Sequence, residues 1–364
     1  MRIADITAAL EAMAPRHLQE GYDNSGFQVG SPMSECTGVM LCVDATPEVI
    51  AEAKSKGCNL VISHHPLFFK GIKQLIGASP VQVTAMEAIA AGISIYSCHT
   101  SLDNAYGGVS WEMARMLGLT DLSVLDPQNG TMMKLAVMVP SDHAELVRLA
   151  LYDAGAGSIG NYDCCSFSTD GTGSFRALEG ANPYVGELLD IHHEAEVKVE
   201  VILPSVLQRR VEAALREVHP YEEPAYDFIA LANASTREGS GVRGIFDEPM
   251  SATGLIDLVK SKFHSPVARC SRLPEGKISR VALCGGSGSS LFGKAIASGA
   301  QAMITSDTKY HDFIDYGGSL LIIDIGHYES EYCTKEIFYR IITEKFPNFA
   351  VYNSVTEKNP INYL

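Results

Sequence analysis

Three segments of the chain place histidine and carboxylate side chains where short apolar runs end. Imidazole nitrogens and carboxylate oxygens together form a ligand set that suits zinc, iron or manganese. Two such ions held side by side activate water and polarise a phosphoryl or amide group. The sequence therefore predicts metal-dependent chemistry at these segments, which are Ser63–Pro66, His99–Asn104 and Asp324–Glu331.

The spacing within these segments favours two ions over one. His64 and His65 are adjacent at a strand end, so their side chains point in different directions. If a helix begins at His327, that histidine and Glu331 lie one turn apart on the same face. With Asp103 these residues make five candidate ligands, too many for one catalytic zinc but suited to two ions that share a carboxylate.

Each segment also has a plainer interpretation. His64 and His65 are also compatible with one core and one surface histidine. Asp103 is well placed to cap a helix that begins near Val109, or to form an Asx turn. Histidine and glutamate four residues apart also occur in helices by chance. The prediction depends on the combination of the three segments.

The elements that position these side chains alternate between strands and helices. Thr46 before a proline and a glutamate predicts a capped helix start. Alternation of this kind is typical of a parallel α/β layer, with ligands bound at the carboxyl ends of the strands. The predicted elements are strand 39–43, helix 47–56, strand 60–63, helix 81–90 and strand 93–98.

The same pattern returns in the last third of the chain. An ungapped offset of 242 pairs Leu41 with Leu283 and Cys42 with Cys284, and an offset of 228 places His99 on His327. We therefore predict two related α/β halves that together form a discontinuous core domain, residues 1–127 and 240–364.

Residues 128–239 have a different pattern and predict an inserted α+β domain. The turn-rich stretch 125–130 marks its start. Two strand–helix–strand units within about 110 residues favour a ferredoxin-like sandwich. The predicted elements are strand 132–139, helix 142–154, strand 197–203, helix 204–218 and strand 226–231.

Composition narrows the class of protein further. The 28 Lys and Arg against 43 Asp and Glu give a net charge of −15, which argues against nucleic acid or an anionic membrane as the main partner. No apolar run approaches the length of a membrane span, and residues 1–18 predict an amphipathic helix instead of a signal peptide. Nine cysteines without a C-x-x-C pair fit a reducing cytoplasm, so we expect a cytoplasmic protein.

Two glycine-rich matches to nucleotide-binding loops fail in detail. The stretch 286–291 resembles a dinucleotide loop, but Leu291 stands where the third Gly or Ala belongs. The stretch 288–295 resembles a P-loop, but Ala295 has no hydroxyl for magnesium. Either an oxyanion cradle or a tight strand-to-helix turn remains open for this loop. The run His219–Pro224 predicts a rigid corner.

With its histidine and carboxylate motifs at strand ends, the sequence resembles the Nif-three-like family, whose members carry the name GTP cyclohydrolase I type 2 homologue. The resemblance is to its longer bacterial members, which carry an inserted domain, and it covers nearly the whole chain. The insert resembles a PII-like, or CutA-like, module. The core motifs are Tyr22–Gly30, Ser63–Pro66, His99–Asn104 and Gly326–Glu331, and the insert motifs are Gly157–Tyr162 and His219–Pro224.

The resemblance implies a particular ligand assignment and assembly. His64, Asp103 and Glu331 would hold one ion, and His65, His327 and Glu331 the other, so that Glu331 bridges. Two divalent ions per chain are expected, zinc first, with iron or manganese as alternatives. The resemblance also implies a homohexamer with the metal sites facing an internal cavity.

Two functions are compatible with the sequence. The first is a metal-dependent hydrolase, in which water attacks a small-molecule substrate such as a nucleotide, with GTP ring opening as the named activity. His99 and His311 are the proton-transfer candidates, with support of the metal ligands as the alternative role. The second is a non-catalytic metal-binding regulatory or assembly factor, whose insert binds a ligand or partner.

Overall fold

The computed structural model describes residues 1–364 and divides into two compact units. The first unit contains residues 1–127 and 236–364, and the second contains residues 128–235. The first segment of the chain supplies α1 (Ile3–Met13), β1 (Gly26–Val29), β2 (Val39–Cys42), α2 (Pro47–Ser55), β3 (Leu60–Ser63), α3 (Pro80–Ala91), β4 (Ser94–Ser97), α4 (Thr100–Asp103), α5 (Val109–Leu117) and β5 (Thr120–Pro127).

The second unit has the element order strand, helix, strand, strand, helix, strand, which is that of ferredoxin-like domains. Its elements are β6 (Met132–Pro140), α6 (Ala144–Asp153), β7 (Ser166–Arg176), β8 (Ile191–Pro204), α7 (Gln208–Val218) and β9 (Tyr226–Ala230). The strands form one antiparallel sheet in the order β7-β8-β6-β9. β7 was not predicted, and β8 begins six residues before the predicted strand at 197.

The last segment returns to the first unit. Its elements are β10 (Gly239–Met250), α8 (Ala252–Lys262), β11 (Arg269–Cys270), β12 (Ile278–Ser287), α9 (Phe292–Ala297), β13 (Ala302–Ser306), α10 (Tyr310–Tyr316), β14 (Leu321–Asp324), α11 (His327–Glu331), α12 (Thr334–Lys345) and β15 (Val351–Asn353). None of the helices in either unit is long and apolar enough to cross a membrane.

Two mixed sheets build the first unit. One sheet has the order β1-β4-β3-β2-β15, and the other has the order β11-β14-β13-β12-β10-β5. β2, β3 and β4 are parallel, as are β12, β13 and β14, and each set of three lies in the same spatial order. The predicted parallel layers are therefore present, but antiparallel strands flank them: β1 pairs with β4, β10 with β12, and β11 with β14.

The apolar core of this unit follows from the alternation of side chains along the parallel strands. Val39 and Leu41 of β2, together with Val281 and Leu283 of β12, face a shared core that also contains residues of α1, α5, α8 and α12. Met40 of β2 faces the opposite side, where α2 and α3 cover the sheet. Burial on both faces explains why these strands are continuous apolar runs.

The predicted N-terminal helix is shorter than expected. α1 ends at Met13, and only a single 3-10 turn follows at Arg16–Leu18. Pro15 lies between them, and its missing amide hydrogen and its ring prevent the helix from continuing. By contrast, α2 begins as predicted, with Thr46 accepting a hydrogen bond from the Val49 amide and Pro47 at the first helical position.

Candidate functional site

The carboxyl ends of the parallel strands carry the predicted site residues. His64 and His65 follow β3 directly, and Asp103 ends the short helix α4 that follows β4. His327 and Glu331 are the first and last residues of α11, which follows β14. The structure therefore brings together side chains from both halves of the discontinuous unit.

The two oxygens of Glu331 face different histidines. Glu331 Oε1 is 3.6 Å from His64 Nε2, which also lies 3.7 Å from Asp103 Oδ1. Glu331 Oε2 is 2.9 Å from His65 Nε2 and 3.0 Å from His327 Nε2, and these two nitrogens are 3.3 Å apart. Glu331 thus lies between two groups of potential ligands, one per carboxylate oxygen.

Every histidine of the site has its Nδ1 atom held by an acceptor. His64 Nδ1 lies 3.0 Å from the Cys98 carbonyl oxygen. The other three pair with aspartates: His65 with Asp44 at 2.8 Å, His99 with Asp23 at 2.8 Å and His327 with Asp307 at 2.5 Å. These contacts place the hydrogen on Nδ1 and leave the Nε2 lone pair for the site, as in histidines that bind metals.

Two atoms of the site are buried without a hydrogen-bond partner, His64 Nε2 and Asp103 Oδ1, and a third, Glu331 Oε2, has only the Nε2 atoms of His65 and His327 beside it. Leaving a buried polar atom unpaired costs about 1–3 kcal/mol. Nitrogen and oxygen atoms that converge with their lone pairs free are what a divalent cation requires. The donor set therefore fits a metal. In two overlapping groups the potential ligand atoms all lie within 4.8 Å of one another: His64, His65 and His99, and His65, His327 and Glu331.

The charges of the site shift the pKa values in opposite directions. Burial and the charge of Glu331 raise the pKa of Asp103 well above its usual value. Burial acts against ionisation of Glu331 too, but the surrounding histidines lower its pKa well below the usual range. Burial opposes a charge on His65 and His327, yet their carboxylate neighbours raise the pKa to about 10 for His65 and to about 9 for His327. A cation competes with these protons for the same lone pairs.

The glycine-rich loop at the end of β12 makes room for Glu331. A Cβ atom on Gly286, whose φ is +62°, would lie 2.2 Å from Glu331 Oε1. The Gly286 amide donates a hydrogen bond to Ser330 Oγ, which ties the loop to α11. Of the two alternatives for this loop, its contacts favour the tight turn that packs against the site.

A cavity of about 830 Å³ opens onto the site. His65, His99 and His327 line it, together with uncharged groups such as Tyr22 and Phe69. Its walls contain no lysine or arginine, but they contain five carboxylates, which are Glu20, Asp44, Asp103, Asp126 and Glu331. Lys294 lies outside the lining and pairs with Asp126 at 2.9 Å. Beyond this lysine and the histidines, any positive charge has to arrive with a ligand.

The two predicted proton-transfer residues lie in different environments. His99 lines the cavity, and its ring centre is 5.2 Å from that of His64 and 5.4 Å from that of His65. His311 is exposed on α10, where its ring contacts Tyr310, and it does not line the cavity. The structure of the single chain thus does not bring His311 to the other histidines of the cavity, and its role in proton transfer stays a prediction.

Of the two plainer interpretations of Asp103, the cap of the helix at Val109 does not hold. The first helical residue after it is Val109, and the residue that precedes α5 as its N-cap is Gly108. Asp103 instead directs its carboxylate toward His64.

Sequence reasoning missed the aspartates that orient the histidines. Asp44 follows β2 and Asp307 follows β13, so both obey the rule that identified the histidines, namely polar residues just past a buried strand. Asp23 lies in the loop before β1, 76 positions from His99, and only its place in a family motif singled it out.

Taken together, these features describe a mixed α/β protein whose strand ends hold a histidine–carboxylate cluster capable of binding metal. The family model of Duf34/NIF3, NGG1p interacting factor 3, matches residues 1–360, and the chain belongs to this family.

The similarity to individual relatives supports this family assignment. A Staphylococcus aureus protein named GTP cyclohydrolase 1 type 2 homolog is 35% identical over 372 aligned positions that cover all of both chains. A Mycobacterium tuberculosis protein of the same name is 35% identical over 338 positions, covering 91% of this chain and 89% of its own. The crystal structure of a Bacillus cereus protein related to NIF3 superposes with a TM-score of 0.86 at 34% identity, covering 100% of this chain and 99% of that one.

Proposed function

We propose that this chain binds two divalent metal ions and hydrolyses a small-molecule substrate in the cavity above them. Support for two positions comes from Glu331, whose two oxygens face separate groups of nitrogen and oxygen atoms. His64 and Asp103 would complete one position, and His65 and His327 the other. When bound, such ions supply Lewis acidity and make water a nucleophile at neutral pH.

His99 is the residue of this chain that we assign to proton transfer. Its Nδ1 hydrogen is bound by Asp23, whose carboxylate also accepts a hydrogen bond from the Thr100 amide. Burial disfavours a charge on Asp23, but the hydrogen bonds from His99 and Thr100 lower its pKa, so it remains an anion. His99 Nε2 is therefore free to accept a proton within the cavity and to return it to a leaving group.

The lining of the cavity also bears on the substrate. Enzymes that bind nucleotide phosphates place lysine or arginine against them. Here two divalent ions would bring four positive charges against five carboxylates, of which Asp126 already pairs with Lys294. We therefore expect an uncharged or weakly charged substrate to react faster than a nucleoside triphosphate.

The test compares guanosine, GMP and GTP, which share a base and differ in charge, together with phosphate esters, on the metal-loaded protein. Metal content is measured in parallel by mass spectrometry. Turnover of at least one substrate, falling with substrate charge, supports the proposal. Two bound ions without turnover of any substrate would contradict the hydrolase and favour the non-catalytic regulatory or assembly function.

Matched histidine variants test the assignment of His99. His99→Gln should lower turnover by roughly 100-fold or more while both ions stay bound. His311→Gln is the control, because this histidine is exposed and does not line the cavity. Loss of metal from His99→Gln would show instead that His99 is a ligand. The zinc preference, the homohexamer and the relation of the insert to PII or CutA proteins stay predictions.

A further inference from the structure

The second unit encloses a cavity of its own, of about 550 Å³. Along β8 the side chains of Val197, Val199 and Val201 pack into the core with residues of α6 and α7. Glu196 and Lys198 alternate with them and line the cavity, so it opens on the opposite face of the sheet. The volume is in the range of small-molecule sites.

Aromatic rings form the wall of this cavity. The ring centre of Tyr221 is 5.9 Å from that of Phe175 and 6.2 Å from that of Tyr184. His219 fixes the loop that carries Tyr221: its Nε2 donates to the Met138 carbonyl oxygen at 3.0 Å, and its Nδ1 accepts from the Tyr221 amide at 3.1 Å. A histidine that donates on one side and accepts on the other is neutral, and the corner is rigid.

A buried carboxylate faces these rings. Glu196 is only 9% exposed and forms no ion pair with any Lys, Arg or His. A Cβ atom on Gly173 of the neighbouring strand would lie 2.1 Å from Glu196 Oε2, so only glycine leaves room for the carboxylate at this position. The Tyr221 hydroxyl lies against this carboxylate: burial and the contact with Glu196 raise the pKa of the Tyr221 phenol. A carboxylate in such surroundings is costly unless a cation accompanies it.

The remaining charges of the lining do not supply that cation. Lys198 is 43% exposed at its side chain, and its ammonium nitrogen lies 3.4 Å from Glu200, which is not part of the lining. Glu222 and Glu223 add two further carboxylates to the cavity. The cavity therefore combines negative charge with aromatic faces, both of which attract cations.

We propose that this cavity binds a small organic cation of the quaternary ammonium type. The rings of Phe175, Tyr184 and Tyr221 would contact its alkyl groups, and Glu196 would neutralise its charge. A bare divalent metal fits less well, since Glu196 is the only buried carboxylate here and such ions need several oxygen ligands.

The probes are choline and its neutral isostere 3,3-dimethylbutan-1-ol, titrated into the full chain and followed by calorimetry and by NMR of the ligand. Choline should bind saturably at millimolar or lower concentration, and the neutral alcohol at least about tenfold more weakly. Equal affinity for both probes would overturn the proposal, because the cavity would then be merely apolar. Failure of both to bind would overturn it as well.

Variants localise the binding. Glu196→Gln should weaken choline binding about tenfold, and Tyr184→Ala, at a half-exposed position that the fold does not need, should weaken it too. Glu200→Gln is the matched control, with the same charge change on the same face of β8 but outside the cavity. An equal effect of Glu200→Gln would show that only the surface charge matters. A further outcome would also refute the proposal: the unsubstituted chain does not bind choline, and Glu196→Gln changes the oligomeric state. The cavity would then hold a basic side chain of a second copy.

Discussion

The two units each bury a glutamate in a cavity, but they surround it differently. Glu331 lies among three histidines whose Nδ1 atoms are fixed by a backbone carbonyl or an aspartate. Glu196 lies among aromatic rings and forms no ion pair. We therefore propose different ligands for the two carboxylates: nitrogen donors with free lone pairs favour a metal, and aromatic faces favour an organic cation.

The largest expected effect separates these two glutamates. Glu331→Gln should remove both ions, because it removes the charge of the carboxylate that the two positions share. His65→Ala should empty mainly one position. Glu196→Gln should leave the metal content unchanged. Mass spectrometry of the purified, metal-reconstituted proteins measures this. Equal losses from Glu331→Gln and His65→Ala would contradict the bridging position of Glu331.

Removal of the second unit tests whether the core site depends on it. Pro127 of β5 and Gly239 of β10 are paired partners on adjacent strands, so a short Asn-Gly turn can join them after residues 128–238 are deleted. We expect the shortened chain to fold and to retain its metal, since all five proposed ligands remain. It should lose choline binding completely. A folded product without metal would show that the second unit is needed for the site.

Breaking a buried ion pair behind the proposed metal site should have a smaller effect, on stability and on metal affinity. Lys335 Nζ lies 2.8 Å from Glu357, whose other oxygen accepts hydrogen bonds from the Val43 and Asp44 amides. Glu357 thereby holds the strand end from which Asp44 orients His65. Lys335→Met leaves the Glu357 charge buried and unpaired, which costs about 3–5 kcal/mol.

Metal affinity should fall along with this stability, by about 10–100-fold, as for other residues that orient metal ligands. Urea unfolding and competition with a chelator measure the two quantities. Lys345→Met, at an exposed position of the same helix, is the control. Unchanged metal affinity in a folded Lys335→Met protein would show that this ion pair serves stability alone.

The smallest expected effect is a loss of stability at low pH. Burial disfavours a charge on Glu52, but hydrogen bonds from Ser354, Thr356 and Val355 lower its pKa to about 2, below the ordinary value of 4.5. The stability that Glu52 contributes is therefore complete above pH 4.5 and is lost as the pH falls toward 2, an effect on the order of 2 kcal/mol.

Glu52→Gln should destabilise the core unit at neutral pH and flatten its loss of stability between these pH values. The single tryptophan, Trp111, lies in the core unit, so its fluorescence follows the unfolding of that unit without a contribution from the second. Glu87→Gln, on the exposed face of α3, is the control. An identical acid profile in Glu52→Gln would show that this network does not stabilise the native state.

Secondary-structure elements could be predicted from the sequence where their own residues define them, and not where tertiary pairing defines them. β3 was predicted residue for residue, because Leu60–Ser63 is buried on both faces and reads as one apolar run. β7 was missed, because Ser166–Arg176 is exposed along nearly its whole length and only its pairing with β8 defines it. β15 is three residues long and joins β2 from the other end of the chain, which no local pattern indicates.

The same difference separates the two sites: local sequence indicates the first, whereas tertiary packing forms the second. Histidines at the ends of apolar strands indicate the proposed metal site, because local sequence places them on a known edge of the sheet. The cavity of the second unit could not be predicted, because Phe175, Tyr184 and Tyr221 come from a strand and two loops whose approach depends on tertiary packing. Tyrosines and phenylalanines without periodic spacing look like ordinary core residues.

Anomalous X-ray scattering from crystals of the zinc-loaded protein shows how many ions bind per chain and whether Glu331 lies between them. We expect two peaks per chain, about 3.5–4 Å apart, with one carboxylate oxygen of Glu331 directed at each. A single peak ligated by His65, His327 and Glu331, with His64 and Asp103 left unligated under saturating zinc, would contradict the account of two ions bridged by Glu331.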